Sequence, residues 1–115
     1  MNNREHPRYS IQVISEKIVK ESKDKSSLDF LISGIDYMRQ AGVSVPQFTK
    51  PLQYQTPEGN TFCTSELQIL VDGHTFYQRH FVIKRQEDFL IITGSFPERD
   101  DYQWMTDVVD SIDLF

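Results

Sequence analysis

The chain has 115 residues and a mass of 13.5 kDa, the size of one domain with one core. Seventeen acidic against twelve basic residues give a formal charge of -5 and a pI near 5.1, which argues against a nucleic-acid partner, because that affinity comes from clustered cations. Only 38% of residues are hydrophobic and the mean hydropathy is -0.47, yet 12% are aromatic, a ring content that separates the chain from disordered ones.

Residues 1–8 read as a polar tail and 9–115 as a single α+β domain. No apolar run approaches the roughly 20 residues needed to cross a bilayer, and Met1-Asn2-Asn3-Arg4-Glu5-His6-Pro7-Arg8 lacks the apolar segment of a signal peptide. This predicts no membrane insertion and a cytoplasmic product, or an extracytoplasmic one if a leader or lipoprotein anchor has been removed. From Tyr9 to Lys20 the β-branched Ile11, Val13, Ile14, Ile18 and Val19 predict a strand, with a bulge or bend where the inward parity changes between Val13 and Ile14. The polar run Glu21 to Ser26 then reads as a loop.

Ser26 or Ser27 can cap a helix whose face is Leu28, Leu31, Ile32, Ile35 and Met38, with Asp29 in its first turn. It should run to about Ala41 and stop at Gly42, which takes a left-handed conformation without a Cβ penalty. Gly34 within it suggests close packing. Val43 to Gln55 is broken by Pro46 and Pro51, which cannot donate to a central ladder, and so predicts an edge strand or an extended connection. Thr56 to Asn60 supplies a turn.

A three-stranded antiparallel meander follows, over about 62–71, 74–85 and 89–96. Asp72-Gly73 is a type I′ hairpin signal, which sets Val71 against His74, Glu66 against Arg79 and Cys63 against Val82. A second turn at Gln86-Glu87 sets Ile83 beside Leu90, Phe81 beside Ile92 and Tyr77 beside Phe96. Sorted by strand alternation, one face holds Phe62, Leu70, Tyr77, Phe81, Ile83, Leu90, Ile92 and Phe96. The other holds Cys63, Leu67, Ile69, Val71, Phe76, Val82, Phe89 and Ile91. Both faces therefore need cover. A last helix near Asp101 to Ile112, carrying Met105, Val108, Val109 and Ile112 on one side, supplies the second layer. The expected fold is an antiparallel sheet, with the N-terminal strand added, between two helices: an α/β/α sandwich.

This order, with its closing segment Phe89-Leu90-Ile91-Ile92-Thr93-Gly94-Ser95-Phe96-Pro97 followed by Tyr102, Trp104-Met105, Val108-Val109 and Ser111-Ile112, resembles the Mog1/PsbP-like superfamily, including bacterial DcrB and Eag-type chaperone relatives. The resemblance spans roughly Tyr9 to Phe115 and rests on spacing and residue class. It implies an accessory or chaperone role with protein partners, as in relatives that bind a small GTPase, a photosystem or secreted effectors. Members usually begin with an additional apolar strand or hairpin, where this chain has eight mostly polar residues. An NTF2-like cone is the competing fold, and it normally lacks a C-terminal helix.

Among chemically capable groups, Cys63 and His80 share a face of the meander, one pair apart on the diagonal, and form the only nucleophile-and-base candidate. The plainer reading is a small buried cysteine beside Val82. With Cys63 alone, no internal disulfide can form. His74 and His80 lie about 20 Å apart along one strand and cannot share a metal, and His6 is in the polar tail, so no metal and no cofactor is expected. Glu98, Asp100, Asp101, Asp107, Asp110 and Asp113 lack calcium-loop spacing and read as a solvated face. Arg79, Lys84 and Arg85 are too few for a nucleic-acid footprint. Tyr102 and Trp104 are candidate aromatic anchors for a protein partner. The expectation is a non-catalytic binding or adaptor domain. Two alternatives stand beside it: a small hydrolase or transferase using Cys63 and His80, and an NTF2-like domain holding an apolar ligand against Tyr77, Phe81 and Phe96.

Overall fold

The computed structural model describes residues 10–97 and 103–111, the side chains of Gln103 and Trp104 excepted. The 1–8 tail, Tyr102 and the Trp104 side chain therefore lie outside the described residues. The elements are β1 (Ser10–Lys17), α1 (Ser27–Gln40), β2 (Ser44–Phe48), β3 (Leu52–Gln55), β4 (Thr61–Val71), β5 (His74–Lys84), β6 (Asp88–Phe96) and α2 (Gln103–Ser111). The six strands form one antiparallel sheet in the order β1-β6-β5-β4-β2, with β3 also on β4.

The central hairpin follows from its turn. Asp72 and Gly73 have φ of 52° and 80°, the positive values that a type I′ turn requires at both central positions. The ladder then runs from Val71↔His74 to Cys63↔Val82, with Glu66 opposite Arg79. The next ladder pairs Tyr77↔Phe96, Phe81↔Ile92 and Ile83↔Leu90, as expected. Ser26 caps α1 in a full capping box with Asp29, and Gly42 takes φ 96° just past its end.

Three local expectations fail. No bulge interrupts β1, whose ladder with β6 is unbroken from Ser10↔Ser95 to Lys17↔Asp88. Val13 and Ile14 break the inward pattern because they point to opposite faces of an edge strand, where both stay exposed. Gly34 brings nothing close, since an added Cβ there would meet no atom within 4 Å. Leu28 lies outside the buried stripe of α1, which is centred on Leu31 and Ile35.

The segment with two prolines resolves into two short strands on the same side of β4. β2 pairs with the half around Leu67 to Leu70, and β3 with Thr61 to Thr64. The helices lie on opposite faces of the sheet. Met105 and Val109 of α2 pack with Phe62, Phe81, Leu90, Ile92 and Phe96. On the other face Leu31 of α1 meets Cys63, Val82 and Phe89, while Ile35 meets Val45, Leu67 and Ile69.

Candidate binding site

Among the described residues, α2 is what covers its face of the sheet, and it spans only part of it. At one end Met105 sits directly over Gly94 of β6, where any Cβ would overlap its side chain. Near the other end Asp110 accepts a 2.7 Å hydrogen bond from the Tyr54 hydroxyl of β3, which holds that phenol at a raised pKa of about 12. The helix thus crosses the end of the sheet that carries Phe62, Phe81 and Leu90. Beyond it the pairs Glu66↔Arg79 and Gln68↔Tyr77 continue the same face, bordered by Gln47 of β2.

Two clefts open there. One of about 190 Å³ is lined by Gln47, Phe48, Thr49, Glu66, Gln68 and Tyr77. The other, about 360 Å³, is lined by residues including Tyr54, Thr64, Arg79, Phe81 and Thr106. The Glu66–Arg79 pair sits between them, its side chains 6% and 14% exposed, with Nη2 and Oε1 3.9 Å apart. Arg79 Nη1 also donates to Thr64 Oγ1 at 3.3 Å.

Thr49, in the jog between β2 and β3, positions Glu66. Its N–H donates to the Glu66 carbonyl at 2.9 Å, and its hydroxyl accepts from the Glu66 N–H at 2.9 Å. Ser65 Oγ donates to the Thr49 carbonyl at 2.7 Å. One threonine so replaces the ladder that neither short strand supplies at this point. Gln47 Nε2 donates to Gln68 Oε1 at 2.6 Å on the rim. Among the described residues the linings of the two clefts hold a carboxylate, a guanidinium, amides and hydroxyls, but no Cys, His, Ser or Lys. Such a set can recognise the mixed donors and acceptors of a polypeptide.

Cys63 and His80 lie on the opposite face, under α1, as the register requires. His80 stands opposite Ser65, one pair along from Cys63↔Val82, and its Nε2 lies 3.0 Å from Gln78 Oε1. Burial raises the Cys63 thiol and lowers the His80 imidazole to about 4. A thiolate–imidazolium couple needs the reverse of both shifts. Cys63 also borders a third cleft, of about 410 Å³, with Ser26, Ser27, Leu52 and Phe62 among its walls.

Phe81 and Phe96 are sealed in the core beneath α2, while Tyr77 is half-buried and stacks on Phe96 with centroids 6.3 Å apart. Arg79, Lys84 and Arg85 each have partners within the chain: Glu66, the carbonyls of Lys23 and Lys25, and Asp88 respectively. Among the described residues no group of three or more His, Cys, Asp or Glu gathers where it could hold a metal. No helix among them is long and apolar enough to cross a membrane.

Sequence reasoning paired Glu66 with Arg79 but did not treat them as a site, and it missed Thr49, Gln47 and Gln68. The only available signal was opposite charge at opposed strand positions.

No protein-family model matches the chain, and no curated protein does. Among solved structures it is similar to PA94 from Pseudomonas aeruginosa, described as a protein of unknown function and suggested regulator. The identity is 14% and the TM-score 0.60, over 90% of this chain and 82% of that one. This likeness shows a shared fold.

Proposed function

We propose that the chain is a non-catalytic adaptor or chaperone domain that binds a protein partner on the part of the α2 face that α2 leaves open. The observation that carries this reading is the Glu66–Arg79 pair, held by Thr49 and Thr64 between two clefts at the border of the apolar core. The clefts beside this largely buried pair, rimmed by Gln47 and Gln68 and next to the half-buried Tyr77 and the exposed Leu70, offer the polar and apolar contacts that a polypeptide surface requires. Tyr102 and Trp104 belong to the same reading as aromatic anchors. The order strand, helix, two short strands, meander and helix supports membership of the Mog1/PsbP-like group with its DcrB and Eag-type relatives.

The test is calorimetric titration of the purified chain with the products of coding sequences adjacent to its own. One of them should form a stoichiometric complex that Leu70→Asp or Gln68→Arg weakens by about tenfold or more. Leu28→Asp, on the α1 side, should leave it unchanged. Absence of a complex, or one indifferent to Leu70 and Gln68, would overturn the proposal.

A further inference from the structure

The two edges of the sheet are guarded very differently. At the β2/β3 edge Pro46 lies within β2, the register shifts between Ser44 and Gln47, Pro51 separates the strands, and the strands are five and four residues long. Each of these features discourages another strand from pairing. β1 has none of them over eight residues. Its ladder is unshifted, Ser10-Ile11-Gln12-Val13-Ile14-Ser15-Glu16-Lys17 contains neither Pro nor Gly, and its charges are confined to the last two positions. Among the described residues no strand pairs with its outer side. Val13 stands 54% exposed on the α2 face and Ile14 43% exposed on the α1 face, flanking backbone N–H and C=O groups that a further strand can use.

We propose that a second copy of this chain occupies that edge, β1 pairing antiparallel with β1 about a twofold axis near Val13 and Ile14. The charge pattern selects a second copy. Antiparallel self-pairing puts Glu16 and Lys17 of each chain at opposite ends of the new ladder, against the uncharged Ser10, Ile11 and Gln12, so that no like charges meet. The uncharged, β-branched centre, which would be a hazard on a monomer, becomes the middle of the ladder, its backbone groups paired and each of Val13 and Ile14 packed sideways against the partner strand on its own face. Because the same patch meets itself, the contact closes at two copies. The open part of the α2 face borders β2, at the far edge of the sheet, so both copies keep it accessible.

Light scattering coupled to size exclusion, over about 1 to 100 μM of the full chain, tests this. The expected mass is twice 13.5 kDa. Val13→Lys, and separately Ile14→Lys, should raise the dissociation constant by about tenfold or more by placing like charges at the centre of the ladder. Leu70→Lys, exposed at the other end of the molecule's central hairpin, should not. Unchanged far-ultraviolet circular dichroism would show that the variants fold. A wild-type mass of one chain, a ladder of larger species, or full retention of the double mass in both β1 variants would overturn the inference.

Discussion

The two faces of the sheet carry comparable apolar content but join it differently. On the α2 face Phe62, Phe81, Leu90, Ile92 and Phe96 make one cluster, which nine residues of helix cover through Met105 and Val109. On the α1 face the apolar residues form two clusters, divided by the polar row Ser65, His80 and Thr93. A helix of 14 residues, about 21 Å long, reaches both. Continuity of the apolar row thus sets how each helix meets its face, α2 through one cluster and α1 across two. Clefts flank the Glu66–Arg79 pair on the compact face, whereas in the polar row of the divided face Ser65 is fully buried and bonds the Thr49 carbonyl, and the half-buried His80 bonds Gln78.

The largest effect should come from the continuous cluster. Phe81→Ala is expected to cost about 3–5 kcal/mol in denaturant unfolding. A loss below about 1 kcal/mol would break the picture of one tightly packed core on that face. The divided face should reveal itself through pH. His80 has a folded pKa near 4 against an ordinary 6.5, so the unfolded chain takes up the proton first. Stability from this group is complete above 6.5 and falls as pH drops from 6.5 towards 4, by about 3 kcal/mol in all. Unfolding curves of His80→Gln should lose that slope; an unchanged slope would show that the imidazole is not desolvated.

Smaller changes sharpen the comparison. Gly94→Ala should cost about 1–3 kcal/mol by crowding Met105. With Met105→Ala the combined loss should fall short of the sum of the two single losses, as a double-mutant cycle would measure. Simple additivity would mean that Gly94 does not seat α2. On the exposed side of α1, Gly34→Ala should stabilise by up to about 1 kcal/mol, because the added methyl meets nothing and the helix interior favours alanine. A thermal melt that does not rise would contradict the open space around it.

The residues of the meander were legible because a two-residue turn with a single geometry propagates its register along both strands. Alternation then sorted Phe81 and Phe96 from Val82 and Phe89 without reference to the rest of the chain. The helix caps were equally local: Ser26, Asp29 and Gly42 act on backbone groups a few residues away. β1 misled because its parity change at Val13 and Ile14 implied a bend, when the strand simply has no buried side that dominates.

What α1, the meander register and the two apolar faces require is written in short-range spacing, and the amino-acid sequence determined it by itself. The site is of another kind. What surrounds Glu66 and Arg79 depends on where α2 comes to rest, and that depends on Met105 finding the one position in β6 without a Cβ. Whether Glu66 is held depends on Thr49 crossing from a different strand edge to make both of its backbone hydrogen bonds. Such contacts join residues 11 to 17 positions apart and have no periodic signature, so only the tertiary structure could decide them.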